Sequence, residues 1–132
     1  AKKHILPLVM DLTNPSPSLG WASRERDGLA ERGPADMIFA LALMHHLAVS
    51  NNVPFPMIAE YFAKIGRTLV IEFVPKHDAQ VQRLLATRKD IFTQYSQDAF
   101  EHTFGLYCDI LDACPVQDSE RILYLMQRRS GQ

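Results

Sequence analysis

The chain has 132 residues, of which 47% are hydrophobic and 22% charged, and its formal net charge at pH 7 is −1. This length and composition fit one globular domain with a hydrophobic core, and the balance of acidic and basic residues argues against nucleic-acid binding. No apolar run reaches the roughly 18 residues that a membrane-spanning helix needs, so we expect no membrane partner.

The two cysteines, Cys108 and Cys114, have neither the spacing nor the partner residues of a zinc site. We therefore expect no metal centre. A reducing compartment is the default for a chain with so few cysteines, which favours a cytoplasmic location.

The first third of the chain predicts a strand, a loop and a charged segment. Residues 4–10 (HILPLVM) read as a strand, and Pro7 places it at the edge or the end of a sheet. Residues 11–21 contain two prolines, Asn14, Gly20 and Trp21, which is typical of an ordered loop. Residues 23–32 are rich in charged side chains and predict at most a short helix.

Residues 35–42 form a nearly unbroken apolar run after Gly33 and Pro34, which predicts a strand buried on both faces. A short helix over residues 43–49 follows and carries His45 and His46. Ligands of open parallel sheets bind beyond the carboxyl ends of the strands. The two histidines are therefore predicted to lie at the ligand-binding edge of such a fold. The alternative is that one histidine caps a helical turn and the other packs in the core.

The remaining chain alternates between helices and strands. A helix over residues 54–65 is followed by a second buried strand, 68–74, which carries Glu72 near its carboxyl end. Asp78 is a suitable N-cap for a helix over residues 79–86, and another helix is predicted over residues 97–104. Two strands, 105–113 and 121–127, form an antiparallel hairpin.

This order of elements predicts a single α/β domain. We expect a three-layer sandwich with helices on both faces of a mostly parallel sheet, closed by an antiparallel hairpin at its C-terminal edge.

Three motifs also carry a family resemblance. They are the strand end VMDL at residues 9–12, the run DMIFALALMHHL at residues 36–47, and the strand IGRTLVIEF at residues 65–73. Together with the C-terminal hairpin, their order is similar to the second half of a class I, Rossmann-like methyltransferase that depends on S-adenosylmethionine. The resemblance implies a partial Rossmann-like fold whose third to seventh strands lie in this chain. In that fold the sheet order is third, second, first, fourth, fifth, seventh, sixth.

The resemblance is incomplete at the position of the family's first motif. No Gly-x-Gly occurs in the chain, whereas the family uses a Gly-rich turn to hold the methionine part of the cofactor. The chain therefore resembles the C-terminal portion of a methyltransferase domain. We expect it to bind S-adenosylmethionine weakly or not at all by itself.

The resemblance assigns cofactor contacts to two segments. Asp11 would accept a hydrogen bond from the adenine amino group, and Leu12 would offer its backbone N–H. Ala40, Leu41 and Ala42 would line the cofactor with backbone and small side chains. The alternatives are an Asx turn at Asp11 and ordinary core packing for residues 40–42.

The histidines and three further residues are candidates for contact with the substrate. His45 or His46 could act as a catalytic base, or the pair could merely pack beside the cofactor. Glu72 could orient a substrate or pair with Lys76 or Arg67. Asn14 and Trp21 would belong to the substrate side of the loop, and Trp21 could instead pin that loop to the core.

These assignments predict that Asp11, His45 and His46 converge at the carboxyl ends of the strands, with Glu72 nearby. The leading functional hypothesis is methyl transfer to a small-molecule or glycan-type acceptor. The alternative is a non-catalytic Rossmann-like binding or interaction domain that has lost its cofactor site. In either case the strand at residues 35–42 lacks a neighbour, so we expect a homodimer through this sheet edge.

Overall fold

The computed structural model describes residues 4–130. The regular elements in chain order are β1 (Ala35–Ala40), α1 (Phe55–Ile65), β2 (Gly66–Phe73), α2 (Ala79–Leu85), α3 (Gln97–Gly105), β3 (Cys108–Pro115) and β4 (Ile122–Arg128). Short helical turns lie at Trp21–Ser23, Ala30–Arg32 and His46–Ser50, the last of them wound as a π-helix. Among the residues described, no helix is long and apolar enough to cross a membrane.

The four strands form one mixed sheet in the order β1-β2-β4-β3. β1 runs parallel to β2, whereas β4 is antiparallel to both β2 and β3. The α/β class and the antiparallel C-terminal hairpin are thus confirmed. The prediction of a mostly parallel sheet is wrong for residues 4–130, because this part of the chain supplies one parallel strand pair and two antiparallel pairs.

One face of the sheet is covered by helices. Leu69, Ile71 and Phe73 of β2 point into this face and are buried. α1 packs on β2 and on α3, and α3 also contacts β3. The side chains of Phe55, Phe73, Phe100, Phe104 and Tyr124 form a continuous aromatic cluster between the sheet and these two helices.

The opposite face of the sheet is open to solvent. The side chains of Met37 and Phe39 on β1, and of Leu41 just after it, are 46%, 66% and 53% exposed. They alternate with the buried positions because successive side chains of a strand point to opposite faces. The predicted three-layer sandwich is therefore wrong for the described residues, which form two layers. α1, which connects the parallel strands β1 and β2, packs on β2 from the helical side of the sheet, and α3 packs against α1 on that same side.

The predicted strand at residues 4–10 is also wrong. This segment has no regular structure, and Ile5, Leu6 and Val9 are largely exposed. Pro7 lacks a backbone donor, and the segment has no strand beside it to complete a ladder. β1 consequently has β2 as its single neighbour among residues 4–130 and forms an edge of the sheet.

Candidate functional site

The chain leaves β1 through a residue with unusual backbone geometry. Ala42 has a φ of +52°, in the left-handed region that residues other than glycine rarely adopt. Its backbone N–H donates a hydrogen bond of 3.0 Å to Oε1 of Glu72, near the carboxyl end of β2. This turn ends the strand at Ala40 rather than at the predicted Ala42, and strained backbone of this kind concentrates at functional sites.

Arg121 ties this turn to the start of α2. Its Nη1 lies 3.1 Å from Oε1 of Glu72, while Nε and Nη2 donate to the two carboxylate oxygens of Asp78 at 2.9 and 3.2 Å. A planar guanidinium matches two carboxylate oxygens in this forked geometry. Asp78 also accepts a hydrogen bond from the backbone N–H of Gln80 and so caps α2, as the sequence predicts.

The ion pair changes the protonation equilibria of both partners. Hydrogen bonding to Arg121 lowers the pKa of Asp78 below its ordinary value, even though partial burial opposes the shift. The same hydrogen bond raises the pKa of Arg121. Both groups are therefore charged near neutral pH, and the ion pair between Arg121 and Asp78 is maintained.

His45 lies beside this network and is 1% exposed. Its Nδ1 is buried and has no hydrogen-bond partner among residues 4–130. Burial, and to a smaller extent the charges of His46 and Arg121, lower the pKa of His45 to about 4, against an opposing effect of Asp78. The ring is therefore a neutral imidazole at pH 7, which agrees with the interpretation that one histidine of the pair packs in the core.

His46 is the exposed member of the pair, and its ring centroid lies 4.2 Å from that of His45. Its backbone oxygen accepts a hydrogen bond from Nδ2 of Asn51, which holds the following helical turn. The site therefore presents one buried and one accessible imidazole at the carboxyl edge of β1.

Asp11 lies away from this cluster. Its carboxylate accepts hydrogen bonds from the backbone N–H and the hydroxyl of Thr13 at 2.9 and 2.6 Å, and these bonds lower its pKa. This is the local turn that the sequence offered as the alternative reading. Asp11 and Asn14 line a cavity of about 470 Å³ together with Arg32, which precedes the amino end of β1.

The predicted convergence of Asp11 with the histidines is therefore wrong. Asp11 shares its cavity with Arg32, which lies three residues before β1, whereas His45 follows the end of that strand, and neither histidine lines the cavity. The physical reason is that residues 4–10 do not join the sheet, so nothing carries Asp11 to the carboxyl edge.

Other predicted site residues divide between core and surface. Ala40 is buried at the end of β1, whereas Leu41 is on the open face and Leu12 is exposed. Trp21 is 85% exposed, so the interpretation that it pins its loop to the core is wrong. The structure thus brings together Ala42, Glu72, His45 and His46 of the predicted set.

The partner of Glu72 was missed by sequence reasoning. Lys76 binds Asp90 and the backbone oxygen of Phe92, and Arg67 lies 3.6 Å from Asp36, so neither pairs with Glu72.

The pairing of Phe73 with Ile122 in the antiparallel ladder places Arg121, one residue earlier, beside the carboxyl end of β2. Aligning the C-terminal hairpin against β2 in the sequence could have revealed this contact.

The chain is 41% identical over 126 residues to the nodulation protein NoeA of Rhizobium meliloti (strain 1021), a match that covers 96% of this chain and 26% of the relative. The chain thus spans about a quarter of the length of the curated relative that it matches. No protein-family model matches the chain, and no solved structure matches it.

Proposed function

We propose that the chain is the C-terminal part of a class I, Rossmann-like, S-adenosylmethionine-dependent methyltransferase domain that acts on a small-molecule or glycan-type acceptor. The observation that carries the proposal is the sheet order β1-β2-β4-β3, with one parallel pair and an antiparallel hairpin. It corresponds to the order fourth, fifth, seventh and sixth that the resemblance predicts for these strands.

The geometry at the carboxyl end of β1 supports the proposal. Such edges are where open α/β sheets bind ligands. The left-handed turn at Ala42 is held by Glu72, which is held in turn by Arg121. This chain of contacts fixes backbone that could lie against a cofactor, and the methyl side chain of Ala42 leaves room for one.

The fit to the cofactor is partial. Ala40 and Ala42 suit a close ligand contact, but Asp11 lines a separate cavity with Arg32, before the start of β1, which does not support the adenine contact that the resemblance assigns to it. For this chain by itself we therefore derive no cofactor-dependent step. What its own residues supply is a fixed turn and an exposed imidazole at His46, which could accept a proton from an acceptor hydroxyl.

The test compares two polypeptides by calorimetry with S-adenosylmethionine. The first is this chain, for which we expect no binding at micromolar concentration. The second includes the residues encoded immediately upstream in the same gene, for which we expect an Asp/Glu-x-Gly-x-Gly turn and micromolar binding. An upstream sequence without such a turn, or a longer polypeptide that does not bind, would overturn the proposal.

A matched pair of variants in the longer polypeptide locates the site. Arg121→Gln removes the guanidinium that holds Glu72, so cofactor affinity should fall. Arg129→Gln is the control, because Arg129 makes an exposed ion pair with Asp109 and lies at the opposite end of β4 from Arg121. Equal affinities for the two variants would exclude the Glu72 turn from the cofactor site.

The open sheet face favours a second candidate function. Met37, Phe39 and Leu41 present apolar side chains to solvent on one surface, as interaction surfaces often do. If the longer polypeptide lacks the Gly-rich turn and does not bind the cofactor, a non-catalytic interaction domain becomes the better assignment.

A further inference from the structure

A cavity of about 410 Å³ lies on the helical side of the molecule, outside the cluster at His45. One wall is the start of α1 with Val53, Pro54 and Phe55, and the other is the segment containing Ile91 and Phe92. Thr103 of α3 also lines the cavity. This volume falls within the range of small-molecule binding sites.

Arg88 holds one end of the wall that contains Ile91 and Phe92. Its Nη1 donates to the backbone oxygens of Val49 and Ser50 at 2.7 and 3.0 Å, and Nη2 donates to Oδ1 of Asn52 at 3.2 Å. The guanidinium carbon lies 5.3 Å from the ring centroid of Phe92. The guanidinium thus contacts the ring of Phe92, while its N–H groups bind the backbone of residues 49–50 and the side chain of Asn52.

The other end of the wall is fixed by Lys76 and Tyr95. Nζ of Lys76 binds Oδ1 of Asp90 at 3.1 Å and the backbone oxygen of Phe92 at 2.8 Å. The hydroxyl of Tyr95 donates to the backbone oxygen of Val74, just beyond β2. The segment facing α1 is therefore preorganised, which reduces the entropy lost when a ligand binds.

The lining determines the kind of ligand. Within residues 4–130 the cavity is lined by apolar and uncharged polar side chains, with no Asp, Glu, Lys, Arg or His among them. The side chains of Thr93, Gln94 and Thr103 line it and make no intramolecular hydrogen bond within that range. A charged ligand would lose its hydration there without gaining a counter-ion.

We infer that this cavity binds a neutral, largely apolar small molecule, aromatic or alicyclic, that carries one or two hydrogen-bonding groups. The apolar body would lie between Phe55 and Phe92, and its polar group would face Thr93, Gln94 or Thr103. The inference does not depend on the proposed methyl transfer, because it uses none of the residues at the carboxyl end of β1.

The test uses N-phenyl-1-naphthylamine, a neutral probe whose fluorescence increases in apolar surroundings. We expect saturable, single-site binding to the 132-residue chain. Ile91→Glu places a charge at the mouth of the cavity and should weaken binding by about tenfold or more. Met57→Glu is the matched control, because Met57 and Ile91 are 61% and 62% exposed and Met57 lies outside the cavity; its affinity should stay within about twofold of the original.

A third variant separates the cavity from the open sheet face, which could also attract an apolar probe. Phe39→Glu places a charge on that face and should leave binding unchanged. Absence of saturable binding, equal affinity of Ile91→Glu and the original chain, or loss of binding in Phe39→Glu would each overturn the inference. Circular dichroism checks that all three variants are folded.

Discussion

At the scale of single residues, the site depends on how one guanidinium satisfies two carboxylates. Glu72 and Asp78 lie on different elements, and each is largely buried. Without Arg121 their charges would be close together and poorly hydrated. The residue that organises this edge thus comes from the C-terminal hairpin, far along the chain from the histidines.

The first prediction concerns the stability that Arg121 provides. Arg121→Leu leaves two partly buried carboxylates without a counter-ion and should lower the free energy of unfolding by about 3 kcal/mol. Urea denaturation at pH 7 measures the change. Arg129→Leu, which breaks an exposed pair, should change the free energy by less than about 1 kcal/mol. Similar losses in the two variants would contradict the structural role assigned to Arg121.

The second prediction follows from the lowered pKa of His45. Between about pH 6.5 and pH 4 the unfolded chain binds a proton at His45 that the folded chain does not, so stability falls as the pH drops through this range. Above pH 6.5 the group has no effect. We expect a loss of about 2 kcal/mol between pH 7.5 and pH 5.

Urea denaturation at the two pH values tests this expectation. His45→Gln should remove most of the pH dependence, whereas His46→Gln, at the exposed neighbour, should retain it. Asp78, one of the charged groups beside His45, also has a lowered pKa. Its contribution to stability is lost only when the pH falls below 3.8, the ordinary pKa of an aspartate, so it does not affect the comparison between pH 7.5 and pH 5. An unchanged pH dependence in His45→Gln would contradict the assigned burial of a neutral ring.

At the scale of elements, α3 joins the helical layer to the sheet through Phe100. Its ring is fully buried and packs against Phe55, Phe73, Phe104 and Tyr124 at centroid distances between 4.5 and 5.8 Å. Ser96 caps this helix, since its hydroxyl oxygen accepts a hydrogen bond from the backbone N–H of Ala99.

The third prediction is that Phe100→Ala lowers the free energy of unfolding by about 4 kcal/mol, because a large buried ring is removed and a void remains. Thermal or urea denaturation at neutral pH measures the loss. Phe39→Ala provides the control, since Phe39 is 66% exposed and should cost less than about 1 kcal/mol. A small effect at Phe100 would place α3 outside the cooperative core.

The elements that could be predicted from the sequence are those with a strong local signal. The apolar runs in β1 and β2, the helical spacing in α1 and the N-cap Asp78 all correspond to observed structure. The strand at residues 4–10 failed because its apolar run has no neighbour to pair with. Long-range contacts, such as Arg121 with Glu72, were missed because they depend on the register between distant strands, which the pattern within each strand does not give.

At the scale of the whole molecule, the sheet has an open face and an open edge on the same strand. β1 carries Met37 and Phe39 on the open face, and its outer side has no strand beside it within residues 4–130. Apolar surface next to unpaired backbone favours association with another chain.

The fourth prediction is that the 132-residue chain forms a two-fold homodimer through β1. Sedimentation velocity over a range of concentrations should show a reversible monomer and dimer. Phe39→Lys puts a charge on the edge strand and should shift the population towards monomer, whereas Met57→Lys on α1 should not. A monomer at all concentrations, or dimers insensitive to Phe39→Lys, would contradict this arrangement.

The position of β4 between β2 and β3 has a consequence for the order of events during synthesis. β2 pairs with residues about 50 to 60 positions further along the chain, as in Thr68 with Gln127. On the ribosome, β1, α1 and β2 can meet early, but β2 keeps one unpaired side until β4 has emerged. Pairing between such distant segments forms slowly and leaves the unpaired edge of β2 exposed until it is complete. The nascent chain is therefore at greatest risk of aggregation after β2 has been synthesised and before the C-terminal hairpin pairs with it.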